Sequence, residues 1–170
     1  MDKELINTLK RDAIDKGLCR RWQLKFNSRM SYQELSEMYI KGIDFCICEG
    51  YPTIDFMRKN IRSKCEKYGI FIDSKDINLK NVPDIVLNGE CRAELQYDGF
   101  SVSRIFIRHT AEATIVVSGH AYLTIDAFNF SRIKVKTIEN ARVLINQYGN
   151  SVSECEGDGI KINFKNKKTY

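Results

Sequence analysis

A ten-residue repeat in the second half of the chain constrains the fold more than any other feature of the sequence. Every tenth residue in its first column is small, and the columns two and four residues later are mostly apolar. The small column consists of Cys91, Ser101, Ala111, Ala121, Ser131, Ala141 and Ser151. Columns that alternate by two are typical of the inward face of a β-strand. The pattern therefore predicts one strand in each decad.

A fourth column separates the strands with residues that mostly suit tight turns or a positive φ. It consists of Gly99, His109, Gly119, Asn129, Glu139, Gly149 and Gly159. Seven decads follow one another without an insertion or a deletion, which stacked coils require and ordinary meanders do not. We therefore predict a two-sided β-solenoid with about twenty residues in each coil, each decad supplying one side. An antiparallel β-meander with equal hairpins is the alternative.

The residues before the repeat predict helices, because apolar residues recur there at spacings of three and four. Gly17 is placed to end the first helix, Ser31 and Glu34 form a capping box for the second, and Thr53 can cap the third. The predicted fold class is thus α+β. Its parts are a three-helix segment over residues 1–72, a linker over 73–84, the β-solenoid over 85–165 and a basic tail over 166–170.

The composition favours a globular cytoplasmic protein. Hydrophobic residues make up 43% of the chain, which is enough for a core, and the net charge of +5 arises from 27 basic and 22 acidic residues. This charge is mild for a nucleic-acid binder. The six cysteines follow no disulfide framework, and the N-terminus opens an amphipathic segment instead of a signal peptide. We expect reduced thiols and no contact with a membrane, since no apolar stretch is long enough to span one.

Residues with catalytic or metal-binding chemistry form no motif in the sequence. Cys46 and Cys48 lack the second pair that a zinc site needs. The two histidines, His109 and His120, would lie at different corners of a coil of about twenty residues. Glycine-rich phosphate loops are absent. We therefore predict no catalytic residue, no metal and no cofactor, and keep as an alternative an enzyme with one of the histidines at the junction of helices and solenoid.

The two outer faces of the predicted solenoid differ in chemistry. One is of mixed charge and comprises Arg92, Glu94, Gln96, Glu112, Thr114, Arg132, Lys134, Lys136, Glu154 and Glu156. The other is aromatic, and its candidate partner-binding residues are Arg104, Phe106, Tyr122, Phe128, Arg142 and Tyr148. Clusters of arginine and aromatic residues are typical of interface hot spots. The helical segment of the same chain, a second copy or a different protein would each cover this face.

These features together predict a non-enzymatic cytoplasmic binding or adaptor protein. Its solenoid would be a rigid platform for a protein partner or for self-association. The alternative is a protein that binds nucleic acid or a nucleotide through cationic side chains. Those side chains would be Arg104, Arg108, Arg132, Lys134, Lys136 and Arg142.

Several segments also resemble an uncharacterised family of small bacterial and prophage proteins. They are residues 17–19 with Trp22, residues 38–46, residues 86–89, and residues 107–109 with the repeat that follows. The resemblance extends over nearly the whole chain. It implies an N-terminal helical segment, a C-terminal ten-residue β repeat and a role in phage or mobile-element biology, and it implies no particular activity.

Overall fold

The structure is a computed structural model that describes residues 3–27 and 29–170. The chain divides into two compact units. A helical unit ends at Tyr68, and a β unit spans Gly69–Thr169. The fold class predicted from the sequence, α+β with helices ahead of a β-solenoid, is confirmed.

The described part of the helical unit contains five α-helices and one 3-10 helix. They are α1 (Lys3–Asp15), α2 (Arg20–Gln23), α3 (Tyr32–Lys41), α4 (Ile43–Cys48), α5 (Ile54–Asn60) and the 3-10 helix Glu66–Tyr68. The predicted number of three is therefore too low. The second predicted helix is interrupted at Gly42, whose φ of −111° is outside the helical range, because glycine gives the backbone freedom that a helix interior disfavours.

The helix ends that the sequence predicted are confirmed. Gly17 has a φ of +86°, and the N–H of Leu18 donates to the carbonyl of Ala13 at 2.9 Å, which closes the end of α1. At the start of α3, the N–H of Glu34 donates to Ser31 Oγ at 3.2 Å and the N–H of Ser31 donates to Glu34 Oε2 at 2.8 Å. The bond from the Ser31 N–H, together with one that the Ser31 hydroxyl donates to Glu34 Oε2 at 2.9 Å, holds the pKa of Glu34 below its ordinary value.

The β unit is built from parallel strands in two sheets. Among the described residues the strands are β1 (Ile70–Ile72), β2 (Ile77–Lys80), β3 (Asp84–Asn88), β4 (Arg92–Tyr97), β5 (Val102–Ile107), β6 (Glu112–Val117), β7 (Tyr122–Ala127), β8 (Arg132–Thr137), β9 (Arg142–Tyr148), β10 (Val152–Glu156) and β11 (Ile160–Lys165). Sheet A has the order β1-β3-β5-β7-β9-β11, and sheet B has the order β2-β4-β6-β8-β10. Successive strands alternate between the sheets, so each pair of strands makes one coil.

The strand register confirms the predicted coil of twenty residues and excludes the antiparallel meander. Ile105 lies beside Ile125 and Ile125 beside Ile145, each twenty residues apart and in parallel strands. The inward columns pack a continuous core, in which Ile105, Ile125 and Ile145 are all fully buried. Small residues of the first column, such as Ala111 and Ala121, lie inside the corners, where a larger side chain would not fit between the two sheets.

The turn column also has the predicted conformation. The six members from Gly99 to Gly149 have φ values between +61° and +68°, and three that are not glycine, His109, Asn129 and Glu139, adopt the same left-handed conformation. Side chains in this column join the coils. His109 Nδ1 accepts a hydrogen bond from the N–H of Gly89 at 3.0 Å, and Glu139 Oε2 accepts from the N–H of Gly119 at 2.8 Å.

Two predicted boundaries are wrong. The range 73–84 is not a linker, since it contains β2 and the start of β3, and the solenoid begins with β1 at Ile70. At the other end, Gly159 does not occupy the turn position, because β11 pairs with β9 at a spacing of seventeen residues and begins at Ile160. The first and last coils are shorter than twenty residues, with β1 and β3 sixteen apart. A pattern with a step of ten does not detect such coils.

Candidate binding site

The structure separates the six predicted partner-binding residues into two groups. Arg104, Tyr122 and Arg142 are exposed on the outer side of sheet A. Phe106, Phe128 and Tyr148 are buried. These three rings are therefore not on the surface of the chain, and the aromatic face of the sequence analysis is not one continuous exposed patch.

The buried rings form part of the packing of the solenoid. The rings of Phe128 and Tyr148, one coil apart, are stacked with centroids 4.6 Å apart and an interplanar angle of 15°. In the same sheet the side-chain amide of Asn146 donates to Asp126 Oδ1 at 2.7 Å. Stacking of equivalent side chains from coil to coil stabilises the solenoid. We therefore assign Phe128 and Tyr148 a structural role.

Two of the exposed residues, Tyr122 and Arg142, belong to a larger exposed patch that we call the corner ladder. It lies where the chain turns from sheet B into sheet A and consists of Phe100, Val102, His120, Tyr122, Asn140 and Arg142. The side chain of Phe100 is 82% exposed, and Tyr122 is 42% exposed. Three successive coils each contribute one corner residue and the first residue of a strand. The ladder is thus a contiguous surface of two aromatic rings, an imidazole and a guanidinium.

The repeat itself arranges the corner ladder. Val102, Tyr122 and Arg142 are direct neighbours in sheet A because they are twenty residues apart, and neighbouring strands lie about 4.8 Å apart. The rings of Phe100 and His120 are stacked with centroids 5.1 Å apart and an interplanar angle of 21°. Beside them, a shallow cavity of about 400 Å³ is lined by His120, Ala121, Tyr122, Asn140 and Arg142. The spacing of these side chains is fixed by backbone hydrogen bonds.

Sequence reasoning identified Tyr122 and Arg142 but missed Phe100 and His120 as members of one site. The signal is present in the tenth column of the repeat. Phe100, His120 and Asn140 recur at intervals of twenty residues, and Phe130 belongs to the same column at the opposite corner. Small residues fill the inside of each corner, so a large aromatic residue in a turn column must point outward. A column of such residues therefore indicates an exposed ladder.

The two histidines lie at different corners, as predicted. The imidazole Nδ1 of His109 accepts a hydrogen bond from the N–H of Gly89, and the backbone N–H of His109 donates to Asn129 Oδ1 at 3.0 Å. His109 is therefore a link in the corner that follows sheet A. His120 is exposed in the corner ladder and stacks on Phe100.

The cationic residues of the nucleic-acid alternative do not form one surface. Arg132, Lys134 and Lys136 belong to β8 in sheet B, Arg104 and Arg142 belong to sheet A, and Arg108 is buried. Several of these cations face carboxylates one coil away. The ion pairs are Arg104–Asp84 at 2.8 Å, Lys134–Glu154 at 3.1 Å and Lys136–Glu156 at 2.7 Å. The outer face of sheet B is thus a mixed-charge surface, as its sequence predicted.

Polar groups at the corners are held by local hydrogen bonds. Asp98 accepts from Asn81 Nδ2 at 2.6 Å and pairs with Lys80 Nζ at 2.7 Å. The hydrogen bond from Asn81 lowers the pKa of Asp98 most, and the interaction with Lys80 lowers it further.

Within residues 3–27 and 29–170, no group of three or more His, Cys, Asp and Glu side chains is arranged to hold a metal ion. The helices of the described chain include none long and apolar enough to cross a membrane.

The corner ladder combines exposed aromatic rings with an arginine at a fixed spacing. Aromatic and arginine side chains are the residue types that most often dominate interface energetics. Comparisons of the chain with protein-family models, with curated proteins and with solved structures found no match.

Proposed function

We propose that the chain is a non-enzymatic binding or adaptor protein that holds a protein partner at the corner ladder. The observation that carries this proposal is the exposure of Phe100, Val102 and Tyr122, which come from two adjacent coils, next to the guanidinium of Arg142. Contiguous exposed apolar residues on a soluble domain are typical of interaction sites. The coil spacing keeps these side chains in fixed positions, so little conformational entropy is lost on binding.

A cytoplasmic location and a role in phage or mobile-element biology belong to the same proposal. They are supported by the absence of a disulfide spacing in the sequence and by the resemblance to small bacterial and prophage proteins. A rigid platform suits an adaptor, because the task of an adaptor is to position one protein relative to another.

Alanine substitutions in the corner ladder test the proposal. We expect Phe100→Ala and Tyr122→Ala each to weaken partner binding by about 30-fold, which corresponds to the roughly 2 kcal/mol typical of an aromatic hot spot. The measurement is affinity capture from the native host, followed by calorimetric titration of the purified partner. Melting temperatures should stay unchanged, since both side chains are exposed.

Phe130→Ala is the matched control for this experiment. Phe130 occupies the same column of the repeat and is 62% exposed, but it lies at the opposite corner. The control should bind the partner like the original chain. Equal losses for Phe100→Ala and Phe130→Ala, or no loss in either ladder variant, would contradict a site at the corner ladder.

Nucleic-acid binding is the second candidate function, and the ion pairs of sheet B argue against it. Lys134 and Lys136 already face Glu154 and Glu156, so phosphates would compete with carboxylates of the same chain. We expect no binding of DNA or RNA oligonucleotides at about 0.15 M salt, measured by fluorescence anisotropy. Tight binding whose affinity falls steeply with salt concentration would instead support a polyanion site.

A further inference from the structure

The C-terminal end of the solenoid exposes residues that face the core elsewhere. Cys155 is aligned with Val135, and Ile162 is aligned with Ile145, so both point inward. Val135 and Ile145 are buried, whereas Cys155 is exposed and Ile162 is half-buried. Phe164, in the inward column of β11, is 71% exposed. The core therefore opens at this end.

The opposite end of the solenoid is less open, although Leu79, the inward residue of β2 beside Leu95, is half-buried. All three residues of β1, Ile70, Phe71 and Ile72, are buried, and Ile77 in β2 is 5% exposed. In the described part of the chain, the apolar interior is thus most accessible at the C-terminal end. A molecule with one such end associates as a closed pair, because a filament would need complementary surfaces at both ends.

The open end also has two free strand edges. β10 is the last strand of sheet B and β11 is the last strand of sheet A in the part of the chain that the structure describes. Half of the backbone N–H and C=O groups of an edge strand point away from its neighbour and can pair with another strand. Apolar side chains and unpaired edges at one place are the features of a strand-pairing interface.

The two edges carry opposite charges. The outward residues of β10 include Glu154 and Glu156, both exposed, and those of β11 include Lys161 and Lys165. Glu154 and Glu156 each face a lysine of β8 in the coil below. A lysine-bearing strand above these glutamates would continue this alternation of charge along the outer face of sheet B.

Charge selects one of the two symmetric ways to join two open ends. The corners reverse the chain, so strands in sheets A and B run in opposite directions. Rotation about the sheet normal would pair β10 with β10 and β11 with β11, and like charges would meet. Rotation about the strand direction pairs β10 of each copy with β11 of the other in antiparallel orientation, and each acidic edge then meets a basic one.

The geometry points to a second copy of this chain as the occupant of the open end, in a two-fold dimer with antiparallel pairing of β10 and β11. The dimer continues both sheets through the interface and covers Cys155, Ile162 and Phe164. In the register that puts Glu156 of one copy directly opposite Lys161 of the other, Glu154 lies opposite Asn163 and diagonal to both Lys161 and Lys165. Two strands per copy bury a smaller surface area than the roughly 800 Å² per partner of standard complexes, so we expect a weak dimer. This inference is independent of the corner ladder.

Charge reversal on one strand at a time tests the dimer. In sedimentation equilibrium, the original chain should show a concentration-dependent mass that approaches twice the 19.7 kDa of one copy. Lys161→Glu with Lys165→Glu, and separately Glu154→Lys with Glu156→Lys, should each raise the dimer Kd at least tenfold. An equimolar mixture of the two variants should dimerise again, because each acidic edge then has a basic partner.

Lys167→Glu with Lys168→Glu is the matched control, since it makes the same change of charge just after β11 and should leave the dimer intact. Circular dichroism verifies the fold of every variant. If a reversed strand unfolds, amide exchange of the original chain decides, as β10 and β11 should gain protection with increasing concentration. A chain that stays monomeric up to about 1 mM, far above a micromolar Kd, overturns the proposal. So does a dimer that both reversals leave unchanged, or a different protein in the native host that alone protects these strands.

Discussion

Replacement of Ile125 by alanine is expected to lower the free energy of unfolding by roughly 2–5 kcal/mol, the range for a large aliphatic residue deleted from a packed core. Ile125 is fully buried and lies between Ile105 and Ile145 in adjacent coils. Deleting its side chain leaves a cavity that the neighbours cannot fill, because backbone hydrogen bonds fix the spacing of the coils. Urea denaturation followed by circular dichroism measures the loss.

Ile162→Ala is the matched control, because Ile162 occupies the equivalent inward position in the last coil, beside Ile145. It is half-buried, so its removal should cost about 1 kcal/mol or less in the monomer. Comparable losses for the two variants would mean that the coils do not form one continuous core. The comparison is best made at low protein concentration, where the proposed dimer is dissociated.

Replacement of Gly159 by alanine is expected to release β11 from the solenoid. Gly159 has a φ of +78°, and a Cβ atom at this position would overlap the carbonyl oxygen of Ala141. The left-handed conformation alone costs a residue with a side chain about 1–2 kcal/mol, and the overlap adds to this cost. Amide hydrogen exchange should show that β11 loses protection while β5 to β8 keep theirs.

Gly99→Ala separates the two contributions. Gly99 has a φ of +63°, but among the described residues nothing lies within 4 Å of an added Cβ. Its substitution should therefore cost about 1 kcal/mol through the backbone alone and leave every strand protected. Equal effects of Gly99→Ala and Gly159→Ala would mean that close packing against Ala141 does not require a glycine at position 159.

A rigid solenoid connects these stability predictions with the proposed function. The corner ladder is set by the same register that stacks Ile105, Ile125 and Ile145. A variant that loosens the core should therefore also weaken partner binding. For this reason the exposed substitutions Phe100→Ala and Tyr122→Ala, and not core substitutions, are the proper test of the binding site.

The sequence alone determined the length of the coil. Each decad contains one strand and one turn, so two decads make one coil of twenty residues, and equivalent side chains of stacked coils recur at that interval. The small column, the inward apolar columns and the turn column all follow from the sequence, as do the C-terminal end of α1 and the capping box of α3. The pattern failed at β1, β2 and β11, where coils of sixteen or seventeen residues shift the columns. It also missed the break of the second helix at Gly42.

Only the tertiary structure decided which outward residues are exposed. Phe106 and Tyr122 occupy outward positions in neighbouring strands of sheet A, yet Phe106 is buried and Tyr122 is exposed. Periodicity specifies the side of a strand on which a residue lies, since side chains alternate along the backbone. Whether that side is covered depends on contacts between distant parts of the chain, which follow no period in the sequence.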